Sequence, residues 1–275
     1  MRNEDLERAI AEAPDDLDAL TVYSDWLSEH GEPHGALIAL HLRRHAAAVR
    51  APPSIVDLVE EARLTAVVFD ALKQLRLPSF GYVARLGFLH ELRLGGGGKR
   101  AGPVLRTILA HRTAPFLRSL EIEVAPSHGR RWSNQPSKED RDEKATAASV
   151  WEALRELGLP RTVRIATLPV PPGREVADDM RVLARVEELT WPFRSVAILE
   201  EHRHALPALR ALTLSSLRID AVNGSRLPVL LEALSRIPEL ASLPEVTVAS
   251  PHSALRSDEL ATLAAQYPNV RVVYV

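Results

Sequence analysis

The sequence predicts an α/β fold: a leucine-rich-repeat-like solenoid with a parallel concave sheet and convex helices, preceded by a small all-α domain. Three observations lead there. The pattern Leu-x-x-Leu-x-Leu, clearest at Leu89–Leu94 and Leu209–Leu214, recurs along the chain. Helical segments separate its copies. Residues 1 to 75 lack the pattern and show helical periodicity with capping residues instead.

Apolar residues at the first, fourth and sixth positions suit a short strand whose alternate side chains enter a core, with one further anchor at its start. Approximate copies stand at Leu117–Ile122, Pro160–Ile165, Val186–Trp191, Leu243–Val248 and Val270–Val275. Their fourth positions fall at 92, 120, 163, 189, 212, 246 and 273, giving steps of 28, 43, 26, 23, 34 and 27. Four of the six steps lie within the roughly 20 to 29 residues of a leucine-rich repeat.

Taken in order, Asn3 to Ala13 sets Leu6, Ala9, Ile10 and Ala13 on one helical face, closed by Pro14. Asp15 or Asp16 can cap a second helix carrying Leu17, Leu20, Tyr23, Trp26 and Leu27, and Gly31 stops it. Pro33 opens a third, with Leu37, Ile38, Leu40 and Leu42, reaching about Val49. Pro52 and Pro53 break it, and Ser54 caps a fourth running through Ile55, Leu58, Val59, Ala62, Val67, Phe69 and Leu72. This last helix reads as the adaptor that covers the first apolar face of the repeat array.

The combination Tyr23-Ser24-Asp25-Trp26-Leu27 with Gly31-Glu32-Pro33-His34-Gly35 resembles the bacterial repeat-companion domain family over roughly residues 3 to 45. Ser24 stands where Ala is usual and Ala36 where an acidic residue is common. The resemblance implies leucine-rich or similar repeats downstream and no particular biochemical activity.

Between the strand candidates, helices are expected at 104 to 111, 149 to 157, 176 to 184, 196 to 204, 227 to 237 and 258 to 267. The Asn that often follows the repeat strand is missing, with Gly95, Val124 and Ser215 nearest its place. The long step of 43 holds Pro126 to Ala145, a polar stretch expected to be a mobile insertion because it has little apolar surface to bury. The domain division is therefore 1 to 75 and 76 to 275.

Composition narrows the function. A formal charge of -2, with 25% charged residues, provides no global basic field, so nucleic-acid binding is not favoured. Zero cysteines removes disulfides, thiolate metal sites and cysteine nucleophiles. The charged Met1-Arg2-Asn3-Glu4-Asp5 leads into an amphipathic segment rather than the apolar core of a signal peptide, and no apolar run approaches about 18 residues, so no signal peptide, no membrane span and a cytoplasmic location are expected.

Alternation places the third and fifth positions of each motif on the solvent side of the sheet. The candidate binding residues there are Glu91, Arg93, Glu121, Arg164, Glu188, Thr190, Thr213 and Glu245, with Ser119, Thr162, Ala211 and Thr247 beside them. Trp132, next to Arg130 and Arg131 in the insertion, is a further candidate anchor. His34, His41 and His45 share one helical face, but no carboxylate or cysteine completes a metal set, and no cofactor is expected. Asp25 is expected to cap a neighbouring helix or accept a hydrogen bond. Gly95-Gly96-Gly97-Gly98-Lys99 is no phosphate loop: Arg93 occupies the place of its first Gly and Arg100 that of its Ser or Thr. No Gly-x-Ser-x-Gly elbow occurs.

The expected function is non-enzymatic: a scaffold or binding protein presenting its concave sheet to a protein partner. A hydrolase or metal-dependent enzyme built around Asp25, His34 and His41 is the alternative. Nucleic-acid binding through Arg130, Arg131, Trp132 and Lys138 is a third reading, opposed by Glu139, Asp140, Asp142 and Glu143.

Overall fold

A computed structural model describes residues 3–47, 52–75, 77, 79–95, 97–123, 138–172, 176–192, 195–215, 231, 234–235, 243–250 and 257–274. It is an α/β protein in which N-terminal helices precede a mostly parallel eight-stranded sheet alternating with helices. The first part holds α1 (Glu4–Glu12), α2 (Leu17–Glu29), α3 (Pro33–Ala47), α4 (Ile55–Val68) and the short α5 (Asp70–Lys73). The caps at Asp16 and Ser54 are those expected from the sequence, and Asn3 is a further one. Asn3 accepts from the Leu6 amide at 3.2 Å, Asp16 from those of Asp18 and Ala19 at 3.0 and 3.2 Å, and Ser54 from that of Asp57 at 3.1 Å.

The sheet follows as β1 (Ser79–Arg85), β2 (Phe88–Gly95), β3 (Ser119–Glu123), β4 (Ile165–Thr167), β5 (Glu188–Pro192), β6 (Ala211–Ser215), β7 (Glu245–Ser250) and β8 (Val270–Tyr274). Interleaved with them are α6 (Ala101–Leu109), α7 (Lys138–Leu157), α8 (Val176–Val182), α9 (Val196–His202) and α10 (Ser257–Gln266). The strands lie side by side in chain order; β1 is antiparallel to β2, and every later pair is parallel.

The registers define the core. Leu92, Leu120, Ala166, Leu189, Leu212, Val246 and Val270 form one inward row. All are buried. Two residues on, Leu94, Ile122, Leu168, Trp191, Leu214 and Val248 are buried as well. They pack with Leu105 and Ile108 of α6, Trp151 and Leu154 of α7, Met180 of α8, Leu199 of α9 and Leu263 of α10, so the helices cover one face of the sheet. The indole N–H of Trp151, fully buried, donates to Pro169 O at 2.8 Å, which removes the cost of an orphan donor.

The N-terminal helices join this core. Leu37, Leu40, Leu64, Val68, Phe69 and Leu72 lie in the sheet's own cluster, with Phe69 stacked on Tyr82 at 5.4 Å. A second cluster packs Ile10, Leu20, Tyr23, Leu27 and Ile38 against Phe88 and Phe116 of the sheet part.

Four sequence expectations need correcting. Strand β1 lies outside the seven repeat motifs; it enters through a tight hairpin with Leu86 and Gly87 both at positive φ, 51° and 81°. The motifs at 160–165 and 270–275 are displaced by three residues, because Ala166 pairs with Leu120 and Val270 with Val246. The operative copies are Val163-x-x-Ala166-x-Leu168 and Tyr267-x-x-Val270-x-Val272. Helix α7 starts at Lys138, so residues 138–145 of the expected insertion are helical rather than loop. The rest of that stretch, with Trp132, Arg130 and Arg131, and most of the helix expected at 227–237 lie outside the described residues.

Candidate functional site

In an open α/β sheet whose strand order reverses, ligands bind in the crevice where it reverses. Here the order never reverses among the described strands, so the sheet has no such crevice. Two other places remain: the sheet face opposite the helices, and the N-terminal ends of the strands where they meet the first two helices.

Two outward rows cross the open face. One reads Arg93, Glu121, Thr167, Thr190, Thr213, Thr247 and Arg271. Four successive threonines thus stand side by side, flanked by charge at both ends. The other reads Glu91, Ser119, Ile165, Glu188, Ala211 and Glu245. At about 4.8 Å per strand, seven strands carry the threonine row across roughly 29 Å.

Threonine suits both demands of such a row. Its branched Cβ favours extended backbone and packs on its cross-strand neighbours, while the hydroxyl stays available to donate and accept. Arg93 Nε lies 3.0 Å from Glu121 and another of its nitrogens 3.9 Å from Glu91, so the β2–β3 end is internally paired. Glu245 is 3.8 Å from Arg271. Glu188 is exposed and has no ion-pair partner among the described residues. Four glutamates against two arginines leave the face weakly acidic.

Glu91, Arg93, Glu121, Glu188, Thr190, Thr213 and Glu245 are therefore brought together, and Ser119, Ala211 and Thr247 with them. Arg164 is not. It precedes β4, where Ile165 holds the row position, and its Nε lies 3.1 Å from Glu187 while its guanidinium donates to Arg161 O at 2.7 Å. Thr162 is also off the face, its hydroxyl 2.7 Å from the carbonyls of Pro115 and Leu117. The reading from sequence missed Thr167, Ile165 and Arg271. Placing the motifs by alignment on Ala166 and Val270 would have found them, but a small Ala at the fourth position hides the frame.

The second place is built from the residues just before the strands. Backbone bonds tie Arg118 N to His90 O, Arg164 N to Arg118 O, Glu187 N to Arg164 O and Arg210 N to Glu187 O, at 2.9, 3.0, 2.8 and 2.7 Å. This row is the second position of the first five of the seven motifs, where the sequence has His90, Arg118, Arg164, Glu187 and Arg210. A cavity of about 230 Å³ opens there, floored by Ile10, Leu20, Phe88 and Phe116 and rimmed by Arg85, Arg118, Arg164 and Glu187. Burial, then the Arg85 charge and more weakly that of Arg118, holds His90 on this rim below the usual histidine range, against opposing pulls from Glu91 and Asp15.

The residues of the enzyme alternative do not converge. Asp25 is exposed and makes no side-chain hydrogen bond among the described residues, so the expected cap or acceptor role is not found. His34 is buried with Nε2–H donating to Gly87 O at 2.7 Å, and His41 Nε2 lies 2.9 Å from Glu61. Among the described residues no group of three or more potential ligands is placed to hold a metal. No helix among them is long and apolar enough to cross a membrane. Compared with known families and curated proteins, the chain matches no family model and no curated sequence.

Proposed function

We propose that the chain is a non-enzymatic protein-binding or scaffold module, a leucine-rich-repeat-like solenoid whose open sheet face receives a protein partner. The observation that supports this most directly is the outward pair of rows. They form a largely polar surface, interrupted by Ile165 and Ala211, that is paired at its β2–β3 end and carries at β5 a glutamate without an ion-pair partner among the described residues. A strand row offers hydroxyls and carboxylates at a fixed repeat, which suits an extended or flat partner surface rather than a small substrate. The excess of glutamate favours a partner of basic or polar character, since complementary charge steers encounter and fixes orientation. The resemblance of residues 3 to 45 to the repeat-companion family agrees with this reading, with the N-terminal helices covering the start of the array.

Glu188 and Glu245 are exposed strand residues on this face. Replacing both by Lys is expected to leave far-UV circular dichroism unchanged and to lower capture of the natural partner at least about tenfold. Undiminished capture by the folded double variant would refute the site.

A further inference from the structure

The outer side of α4 is apolar where a terminal helix should be polar. Ten large apolar side chains are exposed among the described residues, and five of them, Ile55, Val56, Leu58, Val59 and Val67, stand on this one helix, between 46% and 80% exposed. Spacings of four, three and four residues line Ile55, Val59, Ala62 and Ala66 along one stripe, with Leu58 on one flank and Val56 and Val67 on the other. The stripe lies opposite the side that the fold uses. Leu64 and Val68 are buried in the sheet's cluster, and the following Phe69 stacks on Tyr82 of β1. Because β1 is an edge of the sheet, α4 sits at the start of the array. The outer side of such a cap is polar where it must keep an array soluble, and here it is not.

Charge and size say what covers it. The charges of α4 are answered within the chain: Glu60 by Arg63, Glu61 by His41 and Arg44, and Asp57 by the hydroxyl of Ser54. No acidic ridge is left to draw a basic partner. One arginine against three acids does not suit an anionic membrane either, which selects helices rich in Lys and Arg. The stripe does match its own reverse. Antiparallel pairing of two α4 helices about a two-fold axis between Val59 and Ala62 sets Ile55 opposite Ala66 and Val59 opposite Ala62, bulky against small in every layer. Parallel pairing sets Ala on Ala and leaves gaps. Reversal also puts Arg63 opposite Val56 instead of a second Arg63, and opposes the helix dipoles. The largest apolar patch on a protein is usually roughly 300 to 600 Å², so two such patches back to back reach the roughly 1,000 Å² that a specific interface needs.

We propose that α4 is the interface of a homodimer, in which two copies of this chain meet array start to array start through antiparallel α4 helices. The residues of the open sheet face take no part in this contact, and the inference does not rest on the binding role proposed for them.

Sedimentation velocity of the full chain from about 1 to 500 µM is expected to show a monomer–dimer equilibrium with a Kd of roughly 1 to 100 µM, the strength of a small interface. Val59→Lys, at a side chain 65% exposed, should keep the far-UV circular dichroism of the wild type and weaken association at least about a hundredfold. Val22→Lys, also more than half exposed but on α2, should leave association unchanged. The absence of native cysteine lets disulfides report the orientation. Ile55→Cys and Ala66→Cys chains mixed under oxidising conditions should form a linked dimer, and neither should do so alone, because like positions lie about 16 Å apart along the axes of the antiparallel pair. A chain that stays monomeric to about 500 µM leaves the stripe to a different protein or to a membrane and overturns the proposal. So does folded Val59→Lys that associates as well as the wild type, or a disulfide formed by Ile55→Cys alone.

Discussion

The imidazole of His34 ties the β1–β2 turn to α3, and its burial gives the chain an acid sensitivity. Nε2–H donates to Gly87 O, while buried Nδ1 has no partner among the described residues. Burial, the largest influence, lowers its pKa from 6.5 to about 3. The folded state therefore resists a proton that the unfolded chain takes up below pH 6.5. Stability contributed above that pH is lost as pH falls from 6.5 toward 3, by up to about 1.4 kcal/mol per unit. Urea unfolding of the wild type at pH 7 and pH 5 is expected to differ by about 2 kcal/mol more than that of His34→Gln, which keeps a donor but does not titrate. Equal pH dependence in the two would exclude this account. The same residue shows what local reading leaves out: its spacing to His41 and His45 suggests a shared face, whereas the turn it bonds lies 53 residues away.

At the scale of elements, helix crossings depend on missing side chains. A Cβ on Gly102 would sit 2.1 Å from Ser149 O, where α6 crosses α7. A Cβ on Gly81 in β1 would meet nothing within 4 Å. Gly102→Ala is expected to destabilise by about 1 to 3 kcal/mol or more, since backbone must move, and Gly81→Ala to stay within about 1 kcal/mol of wild type. Chemical denaturation measures both, and equal effects would show that the α6–α7 crossing is not close. The elements themselves were unevenly legible. Capped amphipathic helices and five of the seven strand motifs stand in the right frame, because their apolar spacing is set by burial. The displaced two fail where Ala166 and the Tyr267-to-Val272 stretch satisfy the pattern less conspicuously than their neighbours. Strand β1 carried a period-two signal in Phe80, Tyr82 and Ala84, yet its Leu86-Gly87 turn lacks the Asn-Gly or Asp-Gly that marks such hairpins. Lys138 to Ala145 looked loop-like by polarity. It forms the start of a helix, with Arg141, Asp142 and Lys144 exposed, whose later turns supply Val150, Trp151 and Leu154 to the core.

At the scale of the whole molecule, sequential strand order and one-sided helices leave one largely polar sheet face open among the described residues, with the N-terminal helices packed into both hydrophobic clusters. Most of that face was readable from motif position alone. Its completed threonine row was not, since row membership is a property of pairing between strands and not of any one strand. The cavity at the strand ends was likewise hidden, because half of its floor comes from α1 and α2. The proposed binding role requires that the open face, and not the helical one, meets a partner. The absence of native cysteine makes this directly measurable. Thr213→Cys places a unique thiol in the threonine row, and Asp178→Cys one at an exposed position of α8. The rate of thiol alkylation of each variant, with and without the captured partner, is the measurement. Bound partner is expected to slow labelling at position 213 at least about tenfold and to leave position 178 unchanged. Protection at 178 with free labelling at 213 would contradict it.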